Sequence, residues 1–274
     1  TQTKKQVSRI VICVILGLLV VATFFPYYFM LISSLKNNAE IIAHPFTVTR
    51  PFRFENYTSS FGMIANYLKN SVIVSGASVL GTMILGVISA YVFAVFDFPG
   101  KNFFYMFILS FMMIPSVLTL IPQYVLVSDM KMIGTFWAVI LPSIATAQIQ
   151  FIVILRPFIE SLPHDLFDAA KLDGASHIQL FRHVAMPLVK SSVLSLTLIA
   201  FLNSWNDFVW PMLTLSANNL KTITLGLYAY RDVQQILYGP MFAGFFMASI
   251  PLLVLFCFNM RYFISGITSG AVKG

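Results

Sequence analysis

Three histidines, His164, His177 and His183, crowd into one polar stretch of the chain, where imidazoles could bind a metal. Their spacings of 13 and 6 residues put no two of them one helical turn apart. Zinc sites built on a helix need pairs at such turn-spaced positions. Solvated loop histidines account for the cluster, and no metal site is expected. Gly100-Lys101 could close a phosphate-binding loop. Asn102 stands where Ser or Thr is required, and the upstream glycine is missing. Cys13 and Cys257 both lie in apolar runs, which argues against a disulfide framework and against a reactive thiol. No Ser-His-Asp or Cys-His set is visible. The sequence therefore predicts no catalytic residue, no metal and no cofactor in this chain.

Asp207 is the acidic residue deepest in an apolar run. It follows Pro187 by 20 residues. At 1.5 Å per residue it lies about 30 Å along a helix, near the far end. A proton relay at mid-depth is not expected from it. The aromatic residues Tyr91, Trp137 and Trp205 could stack on the flat face of a ligand, but aromatic residues in such runs are more often packing or interfacial anchors.

The remaining chemistry is that of docking. Asp168-Ala-Ala-Lys-Leu-Asp-Gly-Ala175, continuing through Ser176 to Pro187, is a long polar break between two apolar runs. Pro163 suits a first helical position, and Asp165 and Asp168 follow where the positive end of the helix dipole favours carboxylates. Phe167, Ala170, Lys171 and Gly174 share a face by spacing. Gly174 reads as a helix stop. Ser176 with Gln179 forms a capping box for a second helix. That helix should carry Ile178, Leu180, Phe181 and Val184 toward a membrane. By physics alone the segment serves equally as an amphipathic connector or as a docking element.

The elements that position it are apolar spans. Of 274 residues, 58% are hydrophobic and only 10% charged, against about 25% charged in soluble domains. The mean hydropathy is +0.83. The class is an all-α integral membrane protein, read as one domain over residues 1–274. A spanning helix needs about 20 apolar residues. Six stretches qualify, at about 10–32, 71–96, 103–127, 135–155, 187–209 and 240–260, with the polar break over 161–186. The first is too long for a signal peptide and is read as retained. Pro45 to Phe54 looks extended. Six spans place both termini on one side. Ten of the 17 basic residues then share that side, so the termini are expected in the cytoplasm. The net charge of +7 is better explained by such loops than by nucleic-acid binding. Prolines within the runs (Pro26, Pro115, Pro122, Pro142, Pro157 and Pro251) predict kinks. The lack of charge at mid-depth argues against an ion-coupled carrier.

The polar break resembles the cytoplasmic "EAA loop" of binding-protein-dependent ABC importer permeases. Their pattern is Glu-Ala-Ala, three residues, Gly, nine residues, then Ile-x-Leu-Pro. Here it stands as Asp168-Ala169-Ala170, three residues, Gly174, nine residues to His183, then Val184-Ala185-Met186-Pro187. Asp replaces Glu, Val replaces Ile and Met replaces Leu. Asp97-Phe-Pro-Gly-Lys101, Trp205-Asn-Asp207 and the Gly270-to-Gly274 ending look like the sugar-importer branch, close to the smaller permease of maltose transporters.

The resemblance implies a type I ABC importer permease fold with a cytoplasmic coupling helix. It implies a multi-pass subunit of a bacterial or archaeal cytoplasmic membrane. The implied partners are a second permease, two ATP-binding subunits that hold ATP and Mg, and an extracytoplasmic sugar-binding protein. Contact with the ATPase falls on Phe167, Asp168, Ala169, Ala170, Lys171 and Gly174. The tail Gly270, Ala271, Val272, Lys273 and Gly274 would also reach it. Ser216, Ala217, Asn218 and Asn219, in the loop from Pro211 to Gly239, would touch the binding protein. A secondary sugar carrier, or another membrane transport subunit, is the alternative.

Overall fold

A computed structural model of the chain describes residues 2–228 and 237–271. The described residues are helical with irregular connections. In order they form α1 (Gln2–Ser34), α2 (Asn38–Ala43), α3 (Glu55–Val95), α4 (Lys101–Phe111), α5 (Ser116–Asp129), α6 (Trp137–Glu160), α7 (His164–Leu172) and α8 (His177–Gln179). A π-wound turn, Leu180–Ala185, then leads into α9 (Met186–Asn206), α10 (Val209–Thr214), α11 (Ile223–Tyr228) and α12 (Tyr238–Ala271). Backbone contacts divide the chain into two units, residues 1–65 with 227–251 and residues 66–226 with 252–274.

Five helical stretches are long and apolar enough to cross a bilayer: Ser8–Ser34, Glu55–Val95, Trp137–Glu160, His177–Asn206 and Tyr238–Met260. The third expected span, 103–127, is not one straight helix. α4 and α5 meet at 100°, which makes them one broken span or a re-entrant pair. Pro115 sits at the break. It has no N–H to donate, and its ring disfavours helical geometry in the residue before it. The Met112 and Met113 amides turn back onto the carbonyls of Leu109 and Ser110 to close the end of α4. The second span begins earlier than composition indicated, because α3 continues a helix through the polar residues before Ser71.

In the first unit, α1 shows no buried residue across its most apolar window. A stretch that is apolar all round belongs in lipid or against another protein rather than in water. Past its end, Lys36 is buried, and its Nζ donates to the His44 carbonyl at 2.7 Å and the Pro45 carbonyl at 3.5 Å. Burial holds its ammonium below the ordinary lysine pKa, with the Glu40 carboxylate opposing. Asn56 Nδ2 donates to the Ser34 and Lys36 carbonyls at 2.8 and 2.9 Å, which fixes the turn. A capping box of Asn37 with Glu40 starts α2.

In the second unit the core lies among α3, α6, α7 and α9. Val87, Tyr91, Phe151, Leu155, Ile159, Phe167, Leu180, Val189 and Val193 are all buried there. α3 and α6 approach closely at Gly86. A Cβ at that position would lie 2.6 Å from Phe151 Cβ, inside any real contact distance. A second cluster joins Val74 and Val127 to Val139 and Trp210. The Trp210 indole N–H donates to the Ala138 carbonyl at 2.8 Å, which satisfies its one polar atom in a buried setting.

Candidate functional site

The candidate segment is a helix, a tight stop and a capped restart. α7 opens after Pro163, which stands at the cap with φ −58°, one position earlier than the sequence placed it. Asp165 lies in its first turn and Lys171 in its last, so both charges oppose the partial charges of the helix ends. Asp168 and Lys171 pair at 3.3 Å on the exposed face. Such a pair contributes only about 0.3–0.5 kcal/mol, so it orients the side chains more than it holds the fold.

The stop is a Schellman turn. The Gly174 amide donates to Lys171 O at 2.9 Å, and the Ala175 amide reaches back to Ala170 O at 3.0 Å. Gly174 has φ +81°, as the helix stop requires, and a Cβ there would meet nothing within 4 Å. The glycine is thus required by backbone conformation and not by crowding. A side chain at this position would project into open space.

The restart is the expected capping box. The Gln179 amide donates to Ser176 Oγ at 3.4 Å, and the Ser176 amide donates to Gln179 Oε1 at 2.7 Å. Replacing Ser176 with Ala should cost about 1 kcal/mol. Amides 177–179 should then exchange hydrogen about fivefold faster, with the spans unaffected. Unchanged exchange would show that the box contributes nothing.

Two aromatic residues from the end of α3 clasp this restart. Tyr91 packs edge-on against Phe181 at 5.1 Å, and Phe96 lies 4.6 Å from the His177 ring. His177 is therefore a packed surface residue and not a purely solvated one. The next turn, Leu180–Ala185, is π-wound, with the Met186 amide bonded to Phe181 O. A π-bulge of this kind often marks a functional position in a helix.

The sequence-predicted residues divide between two directions. Phe167 is only 6% exposed and packs in the core, and Ala170 packs against the same cluster. They anchor the segment from within. Asp168, Ala169, Lys171 and Gly174 are exposed. The expected single face is thus split, because the Phe167 ring turns into the protein while Lys171 turns out. Ile178 does not share the burial of Leu180. It is 77% exposed, while Leu180 is buried. The capping box starts the helix with Ile178 outward, and the π turn shifts the register after it.

Spacing arguments left Leu172 out, yet it is 89% exposed. Leu172, Ile178 and the half-exposed Leu166 are apolar side chains left open within a charged segment. The signal in the sequence was a leucine at the end of a helix whose inward face was already filled.

The other predicted residues lie elsewhere. The Asn219 carbonyl accepts from Asn66 Nδ2 at 2.6 Å and Asn70 Nδ2 at 2.8 Å, so the loop holding Ser216, Ala217, Asn218 and Asn219 is tied to α3. Ser216 to Asn219 are themselves exposed. The 229–236 part of that loop lies outside the described residues. Gly270 and Ala271 fall in the last turn of α12, and Val272, Lys273 and Gly274 lie outside the described residues. Tyr91 and Trp205 are buried, the latter stacked on Phe201 at 5.4 Å, and serve packing. Trp137 is exposed. Among the described residues no group of His, Cys, Asp and Glu could hold a metal ion.

Residues 82–267 match the family described as binding-protein-dependent transport system inner membrane component. The arabinooligosaccharides transport system permease protein AraQ of Halalkalibacterium halodurans is 33% identical over 240 residues, covering 88% of this chain and 85% of the relative. Among solved structures, a chain of a bacterial ABC transporter that imports the acidic polysaccharide alginate aligns with TM-score 0.82. It is 20% identical, over 95% of this chain and 98% of that one. A chain of the alginate transporter in complex with an alginate pentasaccharide-bound periplasmic protein aligns with TM-score 0.67 and 15% identity, over 93% and 94%.

Proposed function

This chain belongs to the family of binding-protein-dependent transport system inner membrane components, and from that membership we propose that it carries carbohydrate in an ATP-driven importer. It is a multi-pass membrane permease of an ABC transport system, a transport subunit and not an enzyme. The cargo is an oligosaccharide, a reading supported by the arabinooligosaccharide permease that shares a third of its residues. A second, similar permease completes the pathway. Two ATP-binding subunits hold ATP and Mg on the cytoplasmic side, and an extracytoplasmic sugar-binding protein delivers the cargo. The membrane is the cytoplasmic membrane of a bacterium or archaeon, with both termini inside.

The observation that carries this reading is the docking segment. Its inner side is buried through Phe167 and its outer side is capped, charged and tipped with Leu172 and Ile178. The Schellman turn and the capping box make the segment a preformed shape, so little ordering entropy opposes docking. Asp168, Ala169, Lys171 and Gly174 form the contact with the ATPase, and Phe167 and Ala170 transmit its movement to the spans. The C-terminal tail, Gly270 to Gly274, adds a second ATPase contact. Ser216, Ala217, Asn218 and Asn219 touch the binding protein.

Two exposed leucine-like tips on a preformed segment give a direct test. In membranes co-expressing the transporter's subunits, Leu172→Glu with Ile178→Glu should lower co-purified ATPase severalfold, while the permease stays folded and inserted. ATPase recovered at the wild-type level would overturn the docking assignment. Uptake by this chain with no ATPase present would return the alternative of a secondary carrier.

A further inference from the structure

Within residues 66–226 the middle stretches of α3 and α6 and the C-terminal end of α9 do not close on one another. They leave a recess of about 280 Å³. Ser78 and Thr82 face it from α3, Thr146 and Gln150 from α6, and Asn203 and Ser204 from α9, with Asp207 just past the α9 end. These residues are polar positions within apolar runs. Their convergence on one space is the unusual feature, because polar groups in apolar spans gather where water or a polar passenger can reach them.

Two observations point to a passenger. Ser78 is only 2% exposed, and its Oγ has no hydrogen-bond partner. Ser204 Oγ is likewise buried and unpartnered. Buried hydroxyls in native proteins are nearly always satisfied, so these two hold capacity for a group that enters the recess. By contrast, Thr146 Oγ1 is already engaged by its own helix, on Pro142 O at 3.0 Å.

The charge of the lining narrows the choice. Asp207 carries the one carboxylate, and no lysine, arginine or histidine is among the described residues that line the recess. No aromatic ring lines it either. Hydroxyls and carboxamides each donate and accept, which matches the hydroxyls of a sugar. Asp207 Oδ1 accepts from the Trp210 amide at 3.4 Å, and a carboxylate held there with no cation beside it repels an anion. The missing rings mean that recognition works on hydroxyls and not by stacking.

We propose that this recess is a subsite for an uncharged sugar residue and that Asp207 bars acidic sugars from it. The proposal rests on the carbohydrate reading above and deepens it. It separates this chain's cargo from alginate, the acidic polysaccharide imported by the transporter of similar fold.

The test uses the full complex, co-expressed with its partners and reconstituted in sealed proteoliposomes with the binding protein and ATP. Arabinotriose and maltotriose serve as neutral probes and trigalacturonate as the acidic one. Gln150→Ala and Asn203→Ala should raise the half-saturating concentration of the better neutral probe about tenfold, with co-purified ATPase retained. Asp207→Lys should raise trigalacturonate uptake relative to that probe at least severalfold. Unchanged neutral uptake in both alanine variants would overturn the subsite, and an unchanged ratio in Asp207→Lys would overturn the charge rule.

Thiol chemistry decides the recess even if no probe drives hydrolysis, an outcome that would sink the carbohydrate reading alone. With Cys13 and Cys257 replaced by Ala, Thr146→Cys should react faster with a trimethylammonium methanethiosulfonate than with a sulfonate one. Asp207→Asn should remove that preference. No reaction with either reagent, or equal rates before the Asp207 change, would overturn the proposal.

Discussion

Gly174→Asp is expected to leave the spans inserted and to abolish uptake while ATP hydrolysis by the complex continues unregulated or the ATPase is lost. The backbone there has φ +81°, a conformation that side chains resist by about 1 kcal/mol. Asp and Asn visit this conformation more readily than other residues. The local turn therefore survives the change. A Cβ meets nothing within 4 Å, so the new carboxylate stands free on the docking face and meets the partner. Gly174→Ala should be mild and Gly174→Asn intermediate, which separates the backbone cost from bulk and charge. Asp168→Lys should act like Gly174→Asp. It removes the partner of Lys171 and sets a second positive charge beside it. Expression, co-purified ATPase and uptake are measured on each variant. Normal uptake in Gly174→Asp and Asp168→Lys would make the segment a connector only.

Gly86→Val should damage the protein rather than its coupling. At Gly86 even a Cβ would sit 2.6 Å from Phe151 Cβ and 3.0 Å from Phe151 Cγ. Phe151 is 1% exposed and has no room to withdraw. Overpacking of this kind costs about 1–3 kcal/mol. The clash is with a Cβ, so shrinking the ring leaves part of it in place. Phe151→Ala should rescue Gly86→Ala only partly. Thermal stability in detergent reads the effect as a fall of several degrees for Gly86→Val, with low yield. A variant as stable as wild type would mean that α3 and α6 separate more easily than their packing shows.

What could be read from the sequence is what is local. The stop at Gly174 and the box of Ser176 with Gln179 depend on a few neighbouring residues, and both are found in place. The spans α1, α3, α6, α9 and α12 were legible because each is a long apolar run that helix geometry must satisfy internally. The 100° break between α4 and α5 was not, since Pro115 is one of several prolines in apolar runs and most of the others bend nothing so sharply. Pro26, Pro142, Pro157 and Pro251 all sit inside continuous helices. The outward turn of Ile178 was missed because the capping box fixes where the helix starts and not which way its first turn faces. The recess was invisible for another reason. Ser78, Gln150 and Asn203 are far apart in the chain, and each looks like a tolerated polar residue until three helices bring them together.

The π turn between Leu180 and Ala185 holds slack in the winding. An α-helix advances 100° and 1.5 Å per residue, so a π turn carries about one residue more than the same rise needs. If that surplus were drawn out at one end, everything beyond it would screw about its own axis by about 100° while moving about 1.5 Å along it. The segment proposed to dock lies on one side of this turn, and Asn203 and Ser204 lie on the other. A short tug at the first would reach the second as a rotation, like a drawn thread turning a spindle.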